Sequence, residues 1–281
     1  MNHSNASLRL LACQLAVPAM TSASERDRHL QRSAALVDEK LSGDHADIVV
    51  LPELSSIDYS RSAFSNLDVL AEPVDGSSFQ VWKEVAERHQ CWLVYGFAHR
   101  IDQSYSIASA AISPDGEFVG LYNKLHLAQF GDSMEKEYFS AGKSQLLVLN
   151  VGDFKLATII CYDIRIPELC RTLALQHNVD AILHMGAYAR DPSFDSWHQF
   201  VTTRAIENQL YFLSLNRAGP HFGDSVFCKP WVDSENPPFK FDAHAEDLQF
   251  LTIDRRTIER VREEYRFLGD RLPTYELPVV P

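Results

Sequence analysis

The sequence predicts an α/β fold: a mixed β-sheet, or two sheets packed face to face, with helices outside. Three observations predict it. Short apolar runs, several of them rich in β-branched residues, alternate with segments of helical period along the chain. Two hairpin turns interrupt that alternation, which a purely doubly wound parallel sheet would not contain. No linker rich in Gly, Ser or Pro divides the chain, so residues 1–281 read as a single domain.

Each element follows from its own residues. Residues 8–17 are mostly apolar, but Arg9 interrupts them and no basic segment precedes them. They read as a buried strand rather than a signal peptide. Residues 21–41 space Leu30, Ala34, Val37 and Leu41 as one helical face. Residues 47–51 are a short apolar strand that Pro52 ends. Ser77 with Gln80 has capping-box spacing, and Phe79, Trp82, Val85 and Ala86 form the apolar face of the helix that follows. Residues 92–98 are a strand. Residues 107–112 and 117–122 flank Pro114-Asp115-Gly116, and residues 146–151 and 154–160 flank Gly152-Asp153, so each pair reads as a hairpin. Pro167 suits the first turn of a helix. Residues 181–185 form a strand, 193–209 a helix, and 211–216, 225–232 and 248–253 further strands. A helix over 258–265 precedes a tail of about residues 269–281, whose Pro273, Pro278 and Pro281 predict an extended course across a surface.

Composition narrows the function. With 281 residues, 46% of them hydrophobic, the chain can build a core without a disulfide or metal staple. Asp and Glu number 38 against 26 Lys and Arg, a net charge of −12 that repels phosphate backbones and anionic lipid surfaces. Nucleic acid and membrane are therefore not the expected partners. No run of 18 apolar residues occurs. The five cysteines are scattered and odd in number, which fits a reduced cytoplasmic protein better than a disulfide framework. The glycosylation pattern at Asn5-Ala6-Ser7 is then inert. The 11 histidines include no H-E-x-x-H, so no metal site and no cofactor are expected. Gly142-Lys143-Ser144 lacks the first glycine of a phosphate loop, and Ser56 and Ser225 lack a nucleophile-elbow setting.

Three polar residues stand at or just past the ends of apolar strands: Glu53, Lys124 and Cys161. Taken singly each has an ordinary reading, as a loop acid, a solvated strand end and a small core hydrophobe. Together they suit nucleophilic chemistry at a carbonyl or nitrile carbon. Moving a proton from an unperturbed Cys to an unperturbed Glu costs about 6 kcal/mol. Burial that raises the carboxylate and an ammonium that lowers the thiol would close that gap. The lysine also suits the oxyanion formed on attack. His126 reads as a structural hydrogen-bonder beside Lys124, and Cys170 as core.

Leu-Pro-Glu-Leu-Ser-Ser around Glu53, Tyr-Asn-Lys-Leu-His-Leu around Lys124 and Ile-Cys-Tyr-Asp-Ile-Arg-Ile-Pro-Glu around Cys161 resemble, in order, the three signature segments of the nitrilase superfamily of carbon–nitrogen hydrolases. The segment 134–142 resembles the part of that family carrying a second glutamate, Glu135 here. Met185-Gly186-Ala187-Tyr188, Trp197 and residues 204–208 resemble the segment after the nucleophile, and Asp254 with residues 271–275 the C-terminal end. The resemblance covers about residues 8–276. It implies a four-layer α-β-β-α sandwich with mixed sheets, a homodimer or higher homo-oligomer, and a small-molecule amide as substrate. It implies Cys161 as nucleophile, Glu53 as general base, Lys124 as the oxyanion's cation, and Glu135 positioning the substrate or assisting the lysine. Tyr59, the Tyr162 backbone N–H and Ala187 are the implied substrate contacts. Asn123 stands where the family often carries arginine. Cys161-Tyr162-Asp163, rather than Cys-Trp-Glu, favours amides over nitriles by analogy. The expected function is a thiol-dependent amidase. An N-carbamoyl amino-acid amidohydrolase, a nitrilase and a non-catalytic binding protein on the same scaffold are the alternatives. Arg165, Arg190 and Arg204 are each available to an acidic substrate, and Arg165 could instead pair with Glu168.

Overall fold

A computed structural model describes residues 7–131, 133–143 and 145–276. Asn5, Ser144, Pro278 and Pro281 lie outside the described residues, as does the end of the expected tail.

In chain order the elements are β1 (Ser7–Gln14), α1 (Ala23–Ser42), β2 (Ile48–Val50), α2 (Arg61–Phe64), α3 (Leu67–Leu70), α4 (Ser77–His89), β3 (Trp92–Ile101), β4 (Ser104–Ile112), β5 (Phe118–Asn123) and α5 (Glu135–Tyr138). Then come β6 (Val148–Val151), β7 (Phe154–Ile160), a 3-10 turn (Cys161–Arg165), α6 (Pro167–Gln176), β8 (Ala181–Met185), α7 (Phe194–Asn208), β9 (Tyr211–Leu215), β10 (Val226–Cys228), β11 (Phe239–Lys240), β12 (Asp247–Asp254), α8 (Arg255–Glu264) and α9 (Phe267–Asp270).

The strands form two mixed sheets of 6 strands each, ordered β12-β1-β2-β3-β4-β5 and β11-β10-β9-β8-β7-β6. β1, β2 and β3 run parallel, as do β7, β8 and β9; the outer pairs are antiparallel. Both expected hairpins are present, β4 with β5 and β6 with β7. The sheets face each other, with helices on the outer faces, as the four-layer expectation requires. Side-chain alternation shows how. On β1, Leu8, Leu10 and Ala12 join the cluster between the sheets, whereas Leu11 and Cys13 join a second cluster under α1 and α4. On β3, Val94 and Ala98 go one way and Leu93, Tyr95 and Phe97 the other. With both faces covered, these strands read in sequence as near-continuous apolar runs. Between the sheets, Ser109 of β4 donates to or accepts from Thr158 of β7 at 3.0 Å, so both buried hydroxyls are satisfied. Leu169, Leu173, Trp197 and Val201 bring α6 and α7 onto the second sheet.

Several boundaries differ from expectation, for identifiable reasons. β1 stops at Gln14, whose amide turns to the carbonyls of Asp242 and Ala245. β10 is only three residues long, because Pro230 follows within two residues of its end. Ser77 is the first residue of α4 and caps nothing; its N-cap is Gly76. The capping box lies instead at Ser22 and Glu25, ahead of α1. The short helices α2, α3 and α9 are too brief for a period to show in sequence.

The loop after β2 depends on close packing against β3. A Cβ at Gly96 would collide with the Pro52 carbonyl oxygen and lie 2.8 Å from the Leu54 nitrogen. Ser55 Oγ donates to the Gly96 carbonyl at 2.9 Å, and Leu54 holds a positive φ of 46°. Gly96→Ala is expected to cost about 1–3 kcal/mol through overpacking and to displace Glu53, so activity falls together with the urea midpoint. An unchanged midpoint would refute this account of the loop.

Candidate active site

Glu53 follows β2 and Lys124 follows β5, both in the first sheet. Cys161 follows β7 in the second. The facing sheets bring these three ends together. Lys124 Nζ donates to Glu53 Oε1 at 2.8 Å and to Glu135 Oε1 at 2.7 Å, and all three side chains are fully buried. Carboxylate oxygens of Glu53 and Glu135 and the Cys161 sulfur lie within 4.8 Å of one another. Such a donor set could hold a metal ion, but the Lys124 ammonium already bridges the two carboxylates. Glu135 is fixed by the Tyr59 hydroxyl at 2.9 Å and by the Ala128 N–H at 2.9 Å. Glu53 Oε2 has no hydrogen-bond partner among the described residues.

Burial pushes the Glu53 carboxyl up to about 7, against the pull of the Lys124 ammonium and with the help of the Glu135 charge. That is the predicted direction. Burial also tends to neutralise Lys124, yet the Glu135 and Glu53 charges outweigh it and hold the ammonium well above its usual range. The thiol goes the other way from expectation. Burial, then the Glu53 charge, raises Cys161 well above the ordinary thiol, and Lys124 only partly offsets this. Burial is the main reason, and the two carboxylates hydrogen-bonded to the ammonium work against its pull on the sulfur. The resting proton therefore sits on sulfur.

Cys161 sits on an elbow, with a positive φ of 45°. Three side chains hold it: Asp163, Tyr188 and His184. Asp163 Oδ2 accepts from the Ile160 N–H at 3.0 Å and the Tyr122 hydroxyl at 2.7 Å. Asp163 Oδ1 accepts from the His126 N–H at 3.0 Å and pairs with His126 Nδ1 at 2.7 Å. One buried carboxylate thus ties the Lys124 loop to the nucleophile turn, and His126 is the structural bonder expected. On the other side, the Tyr188 hydroxyl donates to the Cys161 carbonyl at 2.9 Å. Trp197 Nε1 donates to Ser214 Oγ at 2.8 Å, leaving the serine proton for His184 Nδ1 at 2.7 Å. His184 Nε2–H then donates to the Cys161 carbonyl at 2.9 Å.

A cavity of about 310 Å³ opens beside Cys161, and Tyr59, Tyr162 and Ala187 are among the residues that line it. The Ala187 N–H also reaches the thiol, lowering it slightly. Of the three arginines, Arg165 lines this cavity, stacked against Phe130 and Phe200 at 5.3 and 5.0 Å. Among the described residues no acid pairs with it, Glu168 included. Arg190 is engaged by Asp224 at 2.6 Å, and Arg204 by Glu207 at 2.9 Å and the Ile164 carbonyl at 3.0 Å. Asn123, in the place of the family's arginine, bonds His99 at 3.0 Å. Cys170 is buried core in α6. Sequence reasoning missed Asp163, His184 and Tyr188 as supports. Asp163 stood inside the quoted Cys161 segment, and His184 was an isolated polar residue in an apolar strand.

Comparison with known proteins gives the family and the fold. A family model described as carbon-nitrogen hydrolase matches residues 11–263. A 2-oxoglutaramate amidase from Bacillus subtilis is 34% identical over 196 residues, covering 66% of this chain and 71% of its own. An omega-amidase from Danio rerio is 30% identical over 246 residues, covering 82% and 86%. In fold, a CN-hydrolase superfamily protein from Xanthomonas campestris superposes with a TM-score of 0.81 at 22% identity, over 97% of this chain and 99% of that one.

His184 carries a stability prediction. Burial lowers its pKa from 6.5 to about 4, against the Cys161 carbonyl's stabilisation of the charged form. The unfolded imidazole takes its proton near 6.5 and the folded one only near 4. Between those values the unfolded state binds more protons, so stability falls as pH falls, by up to about 3 kcal/mol from this residue. His184→Gln should flatten that part of the stability–pH curve measured by urea unfolding. An unchanged slope would contradict the assignment of a neutral buried imidazole.

Proposed function

The chain belongs to the carbon–nitrogen hydrolase family, and from that footing we propose how its buried cluster works and what it accepts. It is a cysteine-dependent hydrolase of carbon–nitrogen bonds, an amidase. Glu53 Oε2 takes the Cys161 proton, and the thiolate attacks the amide carbon. The Lys124 ammonium and the Tyr162 backbone N–H hold the developing oxyanion. Glu53 returns the proton to the leaving nitrogen, and ammonia departs from a thioester. Water, deprotonated by Glu53, hydrolyses that thioester and restores the thiol. Glu135 keeps Lys124 in place throughout. The observation that carries this reading is the Glu53–Lys124–Glu135 chain of hydrogen bonds against the Cys161 sulfur.

The substrate in this reading is a small amide bearing a carboxylate. Arg165 supports it, as a cavity cation with no acid partner among the described residues. The Bacillus subtilis relative supports it too, being named for 2-oxoglutaramate, an amide with a carboxylate. The alternative N-carbamoyl substrates would release carbon dioxide with ammonia. The chain works as one domain in a reducing cytoplasm, which five free, buried thiols suit. It forms a homodimer, and the exposed Phe267, Leu272 and Tyr275 offer an apolar patch for a second copy. A monomer mass by light scattering would remove that last point.

Two outcomes test the mechanism. Cys161→Ala should abolish ammonia release from every amide turned over by the wild type, and retained turnover would overturn the assignment. In the wild type, kcat/KM should fall as pH drops through about 7, because protonated Glu53 cannot accept the thiol proton. A profile flat from pH 8 to 5 would remove Glu53 as the base.

A further inference from the structure

The cavity beside Cys161 carries charge of both signs. Arg165 is its positive wall, and Asp58 places a carboxylate in the same lining. Asp58 directly precedes Tyr59, whose hydroxyl holds Glu135, so its backbone is tied to the catalytic cluster. Its side chain is 17% exposed, and among the described residues no donor hydrogen-bonds its carboxylate.

The cation behind it does not use those oxygens. Arg217 approaches Asp58 Oδ1 at 4.0 Å, beyond direct hydrogen-bond reach. Arg217 Nη2 donates instead to the Ile57 carbonyl at 3.0 Å, and the guanidinium lies over the Phe222 ring at 5.3 Å. Arg217 thus balances the charge of Asp58 while leaving its acceptors open. The contrast with Asp191, another carboxylate among the described residues of the lining, is informative. Asp191 Oδ1 accepts from the Ser193 N–H at 2.8 Å and the Ser193 hydroxyl at 2.6 Å. A partly exposed carboxylate in a cavity lining, with no protein donor on it among the described residues, has its acceptors open to a ligand's N–H groups. An ammonium group, with three N–H donors and a full charge, is the matching ligand chemistry.

Resting on the amidase reading above, we infer that the substrate is a zwitterion: the side-chain amide or ureide of a free α-amino acid. Its carboxylate meets Arg165, its α-ammonium meets Asp58, and its side-chain carbonyl carbon reaches Cys161. Asp58 is then a specificity-determining residue, because an α-keto or unsubstituted analogue leaves it unsatisfied.

Ammonia release from three pairs of compounds tests this. The pairs are L-asparagine and succinamate, L-glutamine and glutaramate, and L-citrulline and 5-ureidopentanoate. In each the second member lacks only the α-ammonium. In at least one pair the amino member should exceed its partner in kcat/KM by about tenfold or more, the worth of one charged hydrogen bond. Asp58→Asn should bring that ratio close to one. Equal or reversed preference in all three pairs overturns the inference, as does a preference that survives Asp58→Asn. The wild-type ratio decides even if the variant does not fold. Turnover of the unsubstituted members alone removes this inference and leaves the amidase reading intact. Ammonia from none of the six removes it too, and a parallel screen of aliphatic amides then decides whether the amidase reading falls with it.

Discussion

A lysine ammonium held dry between two glutamates is the interaction on which the rest of the structure depends. Stripping Lys124, Glu53 and Glu135 of water is expensive, and only near-ideal pairing offsets it. The pairing needs one donor and two acceptors from three separate chain segments, held at 2.7 and 2.8 Å. Two strand ends of one sheet carry Glu53 and Lys124, α5 carries Glu135, and the facing sheet brings Cys161 against them. Loops alone could not hold the three groups so closely.

The supports follow the same logic. Both strand ends that carry the acid and the thiol contain a non-glycine residue at positive φ, Leu54 and Cys161. Such backbone persists only where its surroundings over-determine it. At Leu54 the restraint is the contact with Gly96 and the Ser55 hydrogen bond. At Cys161 it is Asp163 on one side and His184 with Tyr188 on the other. Burial favours the neutral form of His184, which ties the stability of the elbow to pH. The acid and the thiol are both held in their neutral-favouring environments, so the thiolate forms as the proton is transferred rather than beforehand. The substrate enters a site whose electrostatics are already set.

Much of this was legible in the chain. Helices and strands showed in periodicity, because burial on two faces imposes apolar runs on strands and one-sided stripes on helices. Both hairpins showed in Pro114-Asp115-Gly116 and Gly152-Asp153, since turn backbones favour those residue types. Glu53, Lys124 and Cys161 showed because a charged or nucleophilic residue just past an apolar strand end is out of place unless something there needs it. The end of β1 did not show, because remote carbonyls take up its last side chain, whereas β10 stops short at its own Pro230. The capping box at Ser22 was missed in favour of Ser77, as spacing alone does not say which serine turns its side chain inward.

The sequence by itself determined the element order, the facing of apolar residues and which three polar groups stand just past strand ends, because those rest on local chemistry and short-range period. Only the tertiary structure decided that Asp163 bridges two loops, that Arg165 rather than Arg190 or Arg204 faces the cavity, and that the thiol's pKa rises instead of falling. Each of those depends on distances between residues far apart in the chain. A charge acts through its surroundings, and the surroundings of Lys124 are two carboxylates that folding alone brings to it.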